Sequence, residues 1–141
     1  MNEPRSPLNS TYGLLAFGSS RCWDVAINET LNNENEWIGE IEGPNFYTSF
    51  QLDDLGVLSK AKAFLAQRPI ENQSQTVRFA QPSLVLGKFG QSAVSLFRDD
   101  EYEDRCFFVV EEGQSCIRIT LLKNDIRMLE EAFSQLQSDL E

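Results

Sequence analysis

The sequence predicts an α+β fold: two tandem ββββα repeats packed as one pseudo-symmetric domain with antiparallel sheets. Self-similarity is the main reason. Leu14-Leu15-Ala16-Phe17-Gly18-Ser19-Ser20 resembles Leu86-Gly87-Lys88-Phe89-Gly90-Gln91-Ser92, 72 residues further on. The dipeptide Glu42-Gly43 returns as Glu112-Gly113 after 70 residues, and Asp54, Leu55, Leu58, Ala61 and Leu65 align with Asp125, Ile126, Leu129, Ala132 and Leu136 after 71. A near-constant offset over successive elements is the mark of a duplicated unit. The second reason is periodicity, which alternates in steps of two and then switches to 3.6 in each half. The third is length. At 141 residues the chain suits one domain, and halves of this size are too small to bury a large core alone.

Each element has a local cause. Tyr12 to Phe17 is apolar and strand-like, with Gly18-Ser19-Ser20 reading as a turn. Trp23, Val25 and Ile27 alternate with Asp24, Ala26 and Asn28, the pattern of a strand with one buried face. Residues 31–36 read LNNENE, a polar loop. Trp37 to Glu42 and Phe46 to Leu52 form a hairpin through Gly43-Pro44-Asn45. Asp53 or Asp54 caps a helix whose apolar stripe is Leu55, Leu58, Ala61 and Leu65, and which stops before Pro69.

The predicted boundaries are a flexible N-terminus at 1–10, a first repeat at 11–66, a linker at 67–75 (QRPIENQSQ) and a second repeat at 76–141. In the second repeat the strands are expected near Val77–Phe89, Ala93–Arg98, Arg105–Glu111 and Cys116–Leu122, with Pro82 bending the first or confining its start to an edge. The closing helix carries Ile126, Leu129, Ala132, Phe133, Leu136 and Leu140 on one stripe.

Composition excludes much chemistry. There is no histidine, which removes His-based triads, His metal ligands and the usual proton shuttle at neutral pH. Twelve Lys and Arg face 22 Asp and Glu, for a formal net charge of -10. Such a surface repels nucleic-acid backbones and anionic membranes at long range unless its bases gather on one face. No run approaches the roughly 20 apolar residues of a membrane span, and residues 1–10 lack the form of a signal peptide, so a cytoplasmic protein is expected. Cys22, Cys106 and Cys116 have no C-x-x-C spacing and read as small buried hydrophobes. A two-residue turn at Gly113-Gln114 sets Glu111 opposite Cys116, too far along the strand for a Cys106–Cys116 bridge.

The paired Phe-Gly-x-Ser segments (Phe17 to Ser20, Phe89 to Ser92), the Glu-Gly hairpins and the Asp-led helices give a topology that resembles the Whirly and PUR-repeat group of single-stranded nucleic-acid-binding folds. That resemblance spans roughly Thr11 to Leu140. It implies strands of nucleic acid held by basic and aromatic residues on a sheet. Here Asp24, Glu29, Asp99 and Asp100 stand where such a surface would be basic. If the resemblance extends to binding, Trp37 and Tyr47 supply the stacking and Arg21, Arg78, Lys88 and Arg98 the charge.

Asp99-Asp100-Glu101-Tyr102-Glu103-Asp104 is the most conspicuous local feature. Asp99, Glu101 and Glu103 match the first ligands of a calcium loop, but position 6 is Asp104 rather than Gly and position 12 is Val110 rather than Glu. The run therefore reads as a soluble hairpin tip or a contact for a basic partner. Ser59-x-x-Lys62 lacks the companion motifs of a serine–lysine hydrolase, and Asp53-Asp54 and Glu130-Glu131 have sufficient roles on their helices. These readings converge on a non-catalytic acidic module of the cytosol, without cofactor or metal, that binds a basic or apolar protein surface. Single-stranded nucleic-acid binding is the alternative, and homodimerisation by edge pairing is open.

Overall fold

A computed structural model describes residues 11–20, 22–30, 37–52, 54–71 and 76–140. Eight strands follow one another as β1 (Thr11–Ser20), β2 (Trp23–Thr30), β3 (Trp37–Gly43), β4 (Phe46–Leu52), β5 (Ser83–Phe89), β6 (Ser92–Arg98), β7 (Cys106–Glu112) and β8 (Ser115–Leu121). Helix α1 (Gly56–Ala66) lies between β4 and β5, and α2 (Lys123–Leu140) ends the described chain.

The alternation in β2 points Trp23, Val25 and Ile27 into the core. Opposite them, β3 places Ile41 and Gly39, and the register Gly43↔Phe46 leaves Pro44-Asn45 as a two-residue turn into β4. Gly113, with φ at 61°, makes the corresponding turn between β7 and β8, and Glu111 faces Cys116 as expected. β5 begins only after Pro82. The segment before it contributes one isolated bridge, Ile70↔Arg78, so the long strand expected from Val77 is shortened to Ser83–Phe89.

The expected fold class does not hold. The strands form one continuous antiparallel sheet in chain order β1 to β8, rather than two repeat units with separate sheets packed in pseudo-symmetry. The halves join where Gln51 pairs with Lys88, the single pairing between β4 and β5. Gly87 permits it, because a β-carbon there would overlap the Gln51 carbonyl oxygen. Each helix also serves strands outside its own half: α2 packs chiefly on β1 and β2, and α1 packs on α2 and β5. The physical reason is burial. Four short strands and one helix stripe cannot seal a core, whereas eight strands folding over two helices can.

One core results. Leu58, Ala61, Phe64 and Leu65 of α1 and Ile126, Leu129, Ala132, Phe133 and Leu136 of α2 share a cluster with strand residues from both halves. Phe108 of β7 stacks against Phe46 of β4 at 5.2 Å and Trp23 of β2 at 6.2 Å between ring centroids. The sheet must therefore curve strongly to bring β7 over β2 and β4. Trp23 Nε1 donates to Asp125 Oδ1 at 3.1 Å, fastening β2 to the first turn of α2. Asp54 Oδ1 accepts the Gly56 N–H at 2.6 Å, so this carboxylate does satisfy the start of α1, although the cap position itself is Leu55. Asp53 lies outside the described residues.

Two further expectations are corrected. Gly18 does not mark a turn: β1 runs on to Ser20, and Gly18 is where α2 crosses β1, with the Ala132 carbonyl in the space a β-carbon would need. Of the cysteines, only Cys106 is buried; Cys22 and Cys116 are exposed thiols. Cys116 belongs to the edge strand β8, whose residues 115–118 are exposed on both faces, with Ile117 59% accessible.

Candidate functional site

Strands β6 and β7 pair down to Arg98↔Cys106, and the acidic run forms the loop between them. Its backbone is fixed from within. Asp99 N–H donates to the Arg105 carbonyl at 3.3 Å, Arg105 N–H to the Tyr102 carbonyl at 3.4 Å, and Val77 N–H to the Asp100 carbonyl at 2.8 Å. The last bond ties the loop to the segment before β5. That segment is itself pinned, since the Gln67 side chain donates to the Gln81 carbonyl at 2.6 Å and accepts its N–H at 3.2 Å.

Two side chains hold the loop from beneath. Asp99 was expected among the presented carboxylates, but it is only 8% accessible, and its Oδ1 accepts the Glu101 N–H at 2.8 Å. This is an Asx turn, the ordinary means by which aspartate organises a tight loop. Arg98 closes the base: Nη2 donates to the Glu103 carbonyl at 2.7 Å while the guanidinium lies 4.4 Å from the centre of the Phe79 ring. Its Nε and Nη1 are buried without a hydrogen-bond partner. Burial lowers the Arg98 pKa, against the opposing influence of Cys106 and Asp104. Burial likewise pushes the Cys106 thiol up to about 11, outweighing the nearby Arg98 charge.

The presented surface is therefore Asp100, Glu101, Tyr102, Glu103 and Asp104, all exposed. Tyr102, 48% accessible, is steadied by the Arg105 guanidinium 4.2 Å from its ring centre. No group of three or more Asp, Glu or Cys among the described residues is arranged to hold a metal ion.

The residues expected to bind nucleic acid are not brought together. Arg21 lies outside the described residues. Trp37 pairs with Leu52, whereas Tyr47 stands an odd number of positions from Leu52 on the same strand. The two rings consequently sit on opposite faces of the sheet. Trp37 is half-buried against the core, and Tyr47 is half-buried too. Lys88 stands at the seam opposite Gln51, beside a groove of about 540 Å³ shared with Lys60 of α1. Of the described residues in this set, only Arg78 and Arg98 converge, on a hollow of about 310 Å³ that Asp99 and Asp100 of the acidic loop also line.

Sequence reasoning singled out Asp99 and Arg98 but as presented groups, and missed that they anchor the loop. It also missed a second cleft, of about 480 Å³, where Arg98 meets Arg68, Lys123 and Arg127. No local motif signals this cleft, because its bases come from three separate stretches of chain: the end of α1, the end of β6 and the start of α2. Among the described residues no helix is long and apolar enough to cross a membrane. Compared with known proteins, the chain matches no family model, no curated protein and no solved structure.

Proposed function

We propose that this chain is a non-catalytic binding module of the cytosol that presents the loop 99–105 to a basic face of a partner protein. The observation that carries the reading is the pre-formed loop: four exposed carboxylates surround one exposed tyrosine on a backbone held by hydrogen bonds. A loop ordered before binding loses less conformational entropy on association, which favours affinity. Clustered carboxylates steer a basic partner, and a tyrosine in their midst offers apolar contact area with few torsions to freeze. Three free thiols suit a reducing compartment.

The test separates the loop from net charge alone. A fluorescent decalysine peptide is titrated against the wild type, against Asp100→Lys/Glu101→Lys and against Glu111→Lys/Glu112→Lys, in low salt. Both variants change the net charge equally, and all four substituted side chains are exposed. The loop variant is expected to bind about tenfold more weakly, and the hairpin variant to stay near the wild type. Equal weakening in both variants would reduce the effect to overall charge and remove the loop from the account.

A further inference from the structure

Bases are scarce in this chain, yet four of its 12 Lys and Arg line one cleft. The cleft lies between the C-terminal end of α1, the end of β6 and the first turns of α2. Arg127 is committed to Glu131, with Nη1 3.4 Å from Oε2. Arg68, Arg98 and Lys123 make no ion pair with any described residue, although Glu103, Asp104 and Glu130 share the same lining. Asp104 offsets part of the Arg98 charge from a distance, but no described carboxylate closes on any of the three bases, which leaves their donors open to an added anion.

Arg98 sharpens the point. Its Nη2 is used by the Glu103 carbonyl, but Nε and Nη1 are buried and have no hydrogen-bond partner. Buried polar groups in folded proteins are nearly always satisfied, so two orphaned guanidinium donors call for an explanation, and a bound ion is one that the surrounding bases favour. Nε and Nη1 lie on different edges of the guanidinium, so each offers one charged donor to an oxyanion rather than a two-pronged fork. Lys123 is the first residue of the 18-residue α2 and lines the same cleft.

We propose that this cleft is a binding site for the phosphate group of a small molecule, held by Arg98, Arg68 and Lys123. Its size suits a compact ligand rather than a polymer, and the chain's net negative charge disfavours a polyanion. The unpaired carboxylates in the lining favour a phosphate whose carrier is neutral or bears an ammonium group.

The proposal is independent of the acidic-loop reading and is tested separately. The full chain is titrated with inorganic phosphate and with O-phosphoethanolamine, against sodium chloride of matched ionic strength. Readouts are the melting temperature and the NMR signal of the Arg98 Nε–H. Saturable stabilisation beyond the chloride control, with movement of the Arg98 signal, is expected for at least one probe. Stronger binding of O-phosphoethanolamine would identify an ammonium-bearing carrier; equal binding would identify the phosphate alone, and both outcomes support the site. Arg68→Ala/Lys123→Ala alters exposed side chains, so the variant should fold, and it should weaken binding about tenfold or more. A wild type that responds no more than to chloride, or a double variant that binds as well as the wild type, would overturn the proposal.

Discussion

Gly18 and Gly90 occupy matching places in the Phe-Gly-x-Ser segments, and replacing each by alanine separates two accounts of the fold. Were both turn glycines, the two substitutions would cost about the same. The structure makes them different. Gly90 sits in the β5–β6 turn with φ at 62° and open space around the position of a β-carbon. Gly90→Ala therefore carries only the left-handed backbone strain, about 1 kcal/mol. At Gly18 a β-carbon would overlap the Ala132 carbonyl oxygen and stand 3.0 Å from the Leu136 nitrogen. Both obstacles are backbone of α2, so no rotamer change relieves them, and the helix must retreat roughly 1 Å to restore ordinary contact. Leu129, Ala132, Phe133 and Leu136 would then loosen together. Overpacking of this kind costs about 3 kcal/mol, the upper end of its usual range. Urea denaturation, with the slope held common, reads the difference as a shift in midpoint. A Gly18→Ala variant as stable as Gly90→Ala would refute the seating of α2 on β1.

Two other outcomes follow from the core. Phe108→Ala removes a ring that is fully buried between Phe46 and Trp23. It should cost about 3–5 kcal/mol by urea denaturation and change the Trp23 contribution to fluorescence, and a loss below about 1 kcal/mol would contradict the closure of β7 over β2. Cys22 and Cys116 should react with a thiol reagent in the native protein at pH 8, while Cys106 reacts only on unfolding. Cys106 also sets an alkaline limit. With its ordinary value of 9.0 raised to about 11 in the fold, the unfolded chain releases this proton first. The native state then binds more protons, so stability is intact below pH 9 and falls between pH 9 and 11, by about 1 kcal/mol at pH 10. The advantage of wild type over Cys106→Ala should shrink by that amount between pH 8 and pH 10; an unchanged gap would contradict the burial of the thiol.

What could be read from the sequence was governed by short-range physics. The alternation of Trp23, Val25 and Ile27 and the stripe from Ile126 to Leu136 both survive in the structure, because one strand or helix face decides each pattern. The joining of the halves was not legible. It rests on one pair, Gln51 and Lys88, and on the missing β-carbon of Gly87, neither of which has a periodic signal. Gly18 misled because the same four-residue text serves a turn at Gly90 and a helix crossing at Gly18. In the acidic run, composition showed a charged loop but not that its first carboxylate turns inward to bond Glu101 N–H. The cleft was invisible for a related reason, since Arg68, Arg98 and Lys123 are far apart in the chain and meet only through the packing of α1, β6 and α2.

Arg98 belongs to both surfaces, and this has thermodynamic consequences. One Nη of its guanidinium supports the acidic loop through the Glu103 carbonyl, and the rest lies against the Phe79 ring without a hydrogen-bond partner. An anion taking up the free N–H groups would leave the loop bond in place and fix the side chain that makes it. The loop would be held more firmly, and negative charge would be added next to Glu103 and Asp104, which line the same cleft. Both effects favour a basic partner at the loop. Linkage then requires the converse by the same factor: a bound basic partner must tighten the anion in the cleft. Measuring phosphate affinity with and without saturating decalysine tests this coupling, once each ligand has been shown to bind alone. Tighter phosphate binding with the peptide present is the predicted sign. Independent binding would mean that Arg98 transmits nothing, and weaker binding would mean that the peptide draws on the anion's own counter-charges.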